Sequence, residues 1–255
     1  MSPASTDTLE RDPVLSEAFA GKFAHQLRTS ITALQGTHFL LSRQMPNLPP
    51  GAHKPVGRLL DLQIDAVRNL KHSVDQFLEY TQVDELGQAH QIQPIALGAY
   101  VAKLVQLYNA NIQPRQVRLV DRLPPDLVAH LNVNLIDLVV ENVLSNALKF
   151  SPADTPVTLE ISTRSNEWEF TVEDRGSGIP PGEESVVFEP FFRGSNVGQI
   201  PGAGLGLAIA RRAAQHCRGS ISVAPLHGSG TKILCRFPLR MTSGDSRPVP
   251  SAQAR

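Results

Sequence analysis

ENVLSNALKFSP, residues 141–152, is the stretch on which the fold turns. It closes a segment from Asn134 to Phe150 in which Leu135, Leu138, Val139, Val143, Leu144 and Leu148 recur at helical spacing, so a helix with one apolar face is expected. Asparagine is a poor helix former, yet Asn142 and Asn146 stand four apart, which puts them on one face. Lys149 lies a further turn along it. Two carboxamide oxygens suit a hard cation such as Mg²⁺, which keeps waters and takes its other ligands from phosphates. A lysine beside them would neutralise phosphate oxygens. Such a pair standing alone reads equally well as two solvated asparagines, so the neighbouring segments decide.

Downstream, PVTLEISTR and EWEFTVED alternate with period two around a polar Ser-Asn turn, the signal of a hairpin. The second strand runs into VEDRGSGIP, where Asp174 ends it and Gly176 and Gly178 follow. A buried carboxylate there can accept a hydrogen bond from the exocyclic amine of adenine, and the glycines let backbone approach the base. In GAGLGLAIARR, Gly202, Gly204 and Gly206 open a helix from Leu205 to His216, whose free N–H groups suit a triphosphate. HGSGTKI, with Gly228, Gly230 and Thr231, forms a turn in the closing hairpin ISVAPLHGSGTKILCRFPL. Upstream, Gln93–Leu97, Gln116–Leu123 and Leu127–Leu131 read as strands and Gly98–Asn111 as a helix. Strands mixed with three helices indicate a layered α+β domain.

In order and spacing, these four segments resemble the N, G1, G2 and G3 boxes of the ATPase fold shared by histidine kinases, type II topoisomerases, Hsp90 and MutL, and FEPFFRG (188–194) resembles the F box of the histidine-kinase lid. The resemblance covers roughly residues 91–240. It implies a two-layer α+β sandwich of the Bergerat, or GHKL, type binding ATP and Mg²⁺ under a lid of about Ile179–Ala203. The site residues it implies are Asn142, Asn146, Lys149, Asp174, Gly176, Gly178, Arg193, Gly202, Gly204, Leu205, Gly206 and Thr231, with Asn142 and Asn146 holding Mg²⁺. The hydrolytic members carry Glu at the position of Asn142, where it activates water; an amide cannot take that proton. Glu141 is adjacent, but on a helix it points about 100° away.

The first third of the chain has another periodicity. Residues Leu15–Ser42 carry Leu27, Ile31, Leu34, His38 and Leu41 at steps of four and three, and Val56–Leu86 carry Leu60, Gln63, Val67, Leu70, Val74, Phe77 and Thr81. MPNLPPGAHKP separates them, and its prolines end the first helix. An antiparallel hairpin over residues 13–88 is expected. One hairpin cannot bury both seams, so a homodimer forming a four-helix bundle is expected as well. FAHQLRTSITAL resembles the H box of the dimerisation and phosphotransfer hairpin of bacterial two-component sensor histidine kinases. The resemblance makes His25 the phospho-acceptor, places Gln26 where an acidic residue commonly follows, and matches Thr29 to the position thought to orient water in the reverse reaction. Ser30 stands where a proline often bends the helix. If the amide of Gln26 leaves the reaction without a base, Glu79 and Asp84 of the second helix are the carboxylates to consider.

The reading is an ATP:protein-L-histidine phosphotransferase that passes phosphate from His25 to an Asp of a response regulator receiver domain. The alternative is a nucleotide-binding phosphatase or scaffold with weak or no autokinase activity. Bulk properties agree. Over 255 residues, Lys+Arg and Asp+Glu balance at 24 each, so there is no field for nucleic acid or anionic membrane. The two cysteines, Cys217 and Cys235, are not spaced as a metal pair, and a reducing compartment is expected. No apolar run reaches the ~20 residues that cross a bilayer, and the N-terminus lacks an apolar core, so a cytoplasmic protein, or the soluble part of a membrane-anchored kinase, is expected. Residues 1–12 and 241–255 are polar and expected to be disordered.

Overall fold

A computed structural model describes residues 13–88, 91–112, 116–198, 200, 202–224, 226 and 229–241, with the side chains of 13–26, 50 and 88 outside the description. Of the segments expected to be disordered, 1–12 and 241–255, all but Met241 lie outside the described residues, as does Gly228. Met241, at the edge of the second, donates its backbone N–H to the His130 carbonyl (3.1 Å). The chain divides into two compact units, Met1–Gln82 with Pro201–Ala203, and Val83–Ile200 with Gly204–Arg255.

The first unit is built on α1 (Pro13–Gln44), two single 3₁₀ turns (Met45–Asn47 and Pro50–Ala52) and α2 (His53–Gln88), whose last residues belong to the second unit. Pro55 falls in the first turn of α2, where its missing N–H costs nothing, so the helix starts earlier than Val56. Ile31, Val67, Val74 and Leu78 form the buried cluster, with Leu27 packed against it. Arg28 ties α1 to Asp75 of α2 at 2.6 Å. Of the seam residues, Leu34, Leu41 and Leu70 are 42%, 48% and 43% exposed in the single hairpin. A two-helix pair has one inner face, and these three residues lie outside it.

In the second unit, β1 (Ile92–Ala96) pairs antiparallel with β3 (Val128–Asn132), flanking α3 (Leu97–Asn111) and β2 (Val117–Asp121). Then come α4 (Val133–Phe150), β4 (Val157–Arg164), β5 (Glu167–Glu173), α5 (Gly206–His216), β6 (Ser220–Val223) and β7 (Lys232–Pro238). The main sheet has the order β2-β4-β5-β7-β6, with β2 parallel to β4 and the other pairs antiparallel. The β4–β5 turn places Ser165 at φ 57°, one of the few left-handed positions outside glycine.

Alternation sends one sheet face inward: Val157, Leu159 and Ile161, then Trp168, Phe170 and Val172, then Ile233, Cys235 and Phe237 are all buried. The Trp168 ring lies 4.9 Å from Phe237 and 5.9 Å from Phe170, centroid to centroid. The outer face carries charge pairs such as Arg236–Glu169 at 2.9 Å. Asn132 caps α4 by accepting the Leu135 N–H at 3.4 Å. The helix ends at Ser151, whose N–H returns to Ala147, ahead of Pro152. Leu135, Ile136, Val139, Val140, Val143, Leu144, Ala147 and Leu148 are buried along α4. Both cysteines are buried and free; burial pushes the Cys217 thiol up to about 12 and Cys235 up as well, so neither is a nucleophile at neutral pH. Among the described residues no helix is long and apolar enough to cross a membrane.

Candidate functional site

In the second half of α4, Asn142 is buried while Asn146 is partly exposed. Asn142 Nδ2 donates to the Leu138 carbonyl one turn back (2.9 Å), which fixes the carboxamide and turns Oδ1 away from the helix. Gly206, the first residue of α5, sits over both amides. A Cβ placed on it would lie 3.1 Å from Asn142 Oδ1 and 3.3 Å from Asn146 Nδ2. The buried side chain of Leu205 anchors the turn into α5, and no side chain caps the helix. Two carboxamides and uncapped N–H groups therefore converge, the donor set that a cation-bound polyphosphate requires. The first-turn N–H groups of α5 would hold phosphate oxygens and the carboxamide oxygens would hold Mg²⁺. The Tyr108 hydroxyl of α3 donates to the backbone carbonyl of Glu141 (3.2 Å); burial raises the phenols of Tyr100 and Tyr108, and the Glu141 carboxylate helps raise both. Among the described residues no group of three His, Cys, Asp or Glu side chains is arranged to hold a metal.

At the end of β5, Asp174 is 5% exposed. Its Oδ1 accepts the backbone N–H of Gly176 at 2.7 Å and of Thr231 at 3.2 Å, and neither bond uses Oδ2. Burial pushes this carboxyl up, the bonds from Gly176 and Thr231 pull it back, and Glu173 adds repulsion, leaving it raised overall. Glycine is required where the two loops meet. A Cβ on Gly176 would stand 2.5 Å from the Phe150 carbonyl oxygen, and one on Gly230, at φ 120°, would stand 2.0 Å from that of Asp174. Gly178, at φ 72°, faces the Gly230 carbonyl. The loop after β5, the end of α4 and the turn before β7 are thus locked around one carboxylate.

Residues 179–198 and 200 contain turns and neither helix nor strand. This segment is nevertheless tied down. Asn196 Nδ2 donates to the carbonyls of Ser177 (3.1 Å) and Gly178 (3.0 Å), Glu183 accepts the Ser195 N–H at 3.3 Å, and Glu189 pairs with Arg211 of α5 at 3.0 Å. Phe188 is buried, and Gly204 (φ 72°) lets α5 begin 2.5 Å, measured from an added Cβ, from the Phe192 carbonyl oxygen. Arg193 donates to the Ile200 carbonyl at 2.7 Å. Burial lowers the Lys149 ammonium, and repulsion from Arg193 lowers it further.

Of the residues expected from sequence, Asn142, Asn146, Lys149, Asp174, Gly176, Gly178, Arg193, Gly204, Leu205, Gly206 and Thr231 all fall in the second unit. Gly202 lies in the Pro201–Ala203 stretch that groups with the first. His25 and Gln26 are backbone positions of α1, their side chains outside the description, and Thr29 is exposed on the same helix. Sequence reasoning missed Asn196 and Glu183, loop residues with no periodic signal.

Residues 132–241 match the family model described as "Histidine kinase-, DNA gyrase B-, and HSP90-like ATPase". The sensor histidine kinase AtsR of Burkholderia thailandensis is 27% identical over 92% of this chain and 39% of its own length. The sensor protein TorS of Escherichia coli is 28% identical over 94% of this chain and 26% of its own. The chain therefore spans well under half of these curated relatives. Among solved structures, the mycobacterial sensor histidine kinase MprB superposes with a TM-score of 0.50 at 27% identity, over 58% of this chain and 97% of that one. Residues 132–241 thus form a domain of the histidine kinase-, DNA gyrase B- and HSP90-like ATPase type, and over most of its length the chain is similar to two-component sensor histidine kinases.

Proposed function

We propose that this chain phosphorylates its own His25 from Mg²⁺-ATP and passes the phosphoryl group to an aspartate of a response regulator. The observation that carries the reading is the amide at Asn142. Its nitrogen is committed to Leu138, it has no proton-accepting capacity, and the Glu141 carboxylate beside it acts on Tyr100 and Tyr108 of α3, adding to the rise that burial gives both phenols. A nucleotide site without a base for water is suited to an acceptor other than water, and FAHQLRTSITAL supplies one. Asn142, Asn146 and Lys149 bind the metal and phosphates, Asp174 and Thr231 the base, and Arg193 contacts the phosphates. The hairpin over residues 13–88 dimerises through the faces that bear Leu34, Leu41 and Leu70, and residues 91–240 act as the catalytic domain on the cytoplasmic side. Incubation with γ-labelled ATP tests this. Acid-labile, base-stable label on the wild type, and none on His25→Ala with nucleotide binding retained, is the expected result. Label persisting in His25→Ala moves the acceptor elsewhere. A second reading, a nucleotide-binding phosphatase or scaffold, draws on Gln26 and Ser30, and predicts ATP binding without label.

A further inference from the structure

We propose that Glu79 of α2 is the proton acceptor for phosphorylation of His25; this rests on the kinase reading above and adds a group to its reaction centre. The hairpin's register is set by the Arg28–Asp75 pair, with Nη2 at 2.6 Å and Nε at 3.0 Å from Oδ1, and by Leu27 and Ile31 packing with Val74 and Leu78. Position 25 lies three residues before Arg28, a rise of ~4.5 Å along α1, and Glu79 lies four beyond Asp75, a rise of ~6 Å along α2. In an antiparallel pair these steps run the same way, so the two positions stand within ~2 Å of one level along the hairpin. The three-residue spacing also keeps position 25 on the α1 face that Arg28 occupies. Arg28 and Glu79 line one recess of about 390 Å³ between the helices, with Lys71, Asp75, Leu78 and Gln82.

The chemistry calls for a base at this level. One imidazole nitrogen forms a bond to the γ-phosphorus as the bond from that phosphorus to the β,γ-bridging oxygen breaks, and ADP leaves with the electron pair. The ring is then cationic until the N–H of its other nitrogen gives up its proton. Gln26, next along the chain, offers only an amide. Asp75 stands level with Arg28, about one turn from position 25, and Asp84 belongs to the second unit. The Glu79 carboxylate takes the proton and releases it to solvent, to which its side chain is exposed. Arg28, Lys71 and Asp75 are the charged groups that share its recess.

The test uses the full chain and γ-labelled ATP at about pH 7 and about pH 9, because hydroxide competes for the proton at the higher value. Glu79→Gln should slow labelling on the order of 100-fold near neutrality and less in alkali, with Mg²⁺-ATP affinity and helical circular dichroism unchanged. Gln26→Glu, added to Glu79→Gln, should restore most of the rate by returning a carboxylate beside the ring. Wild-type-like labelling in Glu79→Gln overturns the assignment. So does a loss of equal size at both pH values that Gln26→Glu leaves unrepaired, the mark of a structural role. A wild type that binds ATP and takes no label overturns the kinase reading, and the proposal with it, whereas a labelled wild type matched by Glu79→Gln removes Glu79 alone.

Discussion

Asp84, in the last turn of α2, grips Arg212 of α5 with both carboxylate oxygens, across 128 residues of sequence. Arg212 Nε reaches Oδ1 at 2.8 Å, Nη2 reaches Oδ2, and His216 Nε2 shares Oδ1 at 2.8 Å. Behind them Gly87 is a necessity: a Cβ there would stand 2.3 Å from His216 Nδ1. The boundary between the units therefore falls inside a continuous helix, at Gln82–Val83. Partial burial pushes the Asp84 carboxyl up, but the bonds and charges of His216 and Arg212 outweigh it, and the carboxyl sits below its ordinary value. A depressed carboxylate adds stability above its unfolded pKa, near ~4, and that stability is lost as pH falls through the folded value. Asp84→Asn should lower stability on the order of 1 kcal/mol at neutral pH, since the pair is bidentate but partly exposed. The gap from wild type should close in acid. Thermal melts across a pH series check this, and a gap that persists below the folded value would refute the linkage.

Gly206→Ala separates folding from binding. Alanine is the better helix former by up to ~1 kcal/mol, so the melting temperature should hold or rise. Its methyl group, however, would press on the carboxamides of Asn142 and Asn146. Mg²⁺-ATP affinity should fall at least about 10-fold, or ~1.4 kcal/mol, in calorimetric titration. Undiminished affinity would place the metal and phosphates elsewhere.

Asp174→Asn retains one oxygen to accept the Gly176 and Thr231 N–H groups, so the loops should stay closed and stability should fall by no more than ~1–2 kcal/mol. The new amide presents N–H where an acceptor is wanted for the adenine amine. ATP affinity should drop by a larger factor than stability does. A variant that binds ATP normally would remove Asp174 from base recognition.

Leu41→Glu tests assembly. The side chain is 48% exposed in the single hairpin, so a charge costs little there, but in a four-helix bundle it would be buried. The wild type should sediment as a dimer at micromolar concentration and the variant as a folded monomer. A monomeric wild type would defeat the bundle.

The site was legible where local spacing carries the information. Asn142 and Asn146 announce a shared face through a four-residue step, and Asp174 announces a strand end through the glycines that follow. Helix phase was less legible. Leu70 and Leu78 are both apolar and both plausible in the α2 stripe, yet Leu78 is buried and Leu70 exposed, because only packing against Leu27 and Ile31 chooses between them. The grip of Asp84 on Arg212 and the seating of Gly230 against Asp174 join distant loops, and no periodicity encodes them. Asn196 escaped notice for the opposite reason: in a segment without regular structure, one asparagine looks like any other.

The single tryptophan of the chain, Trp168, lies fully buried between Phe170 and Phe237 in the second unit. Its fluorescence is thus a domain-specific optical reporter. Emission should be blue in the folded protein and shift red when the sheet opens, whatever the long helices do. Far-ultraviolet circular dichroism, by contrast, is dominated by α1 and α2. Followed together through a denaturant titration, the two signals turn one sample into two instruments: coincident curves mean that the hairpin and the nucleotide domain unfold as a single cooperative body, and separated curves give each its own midpoint.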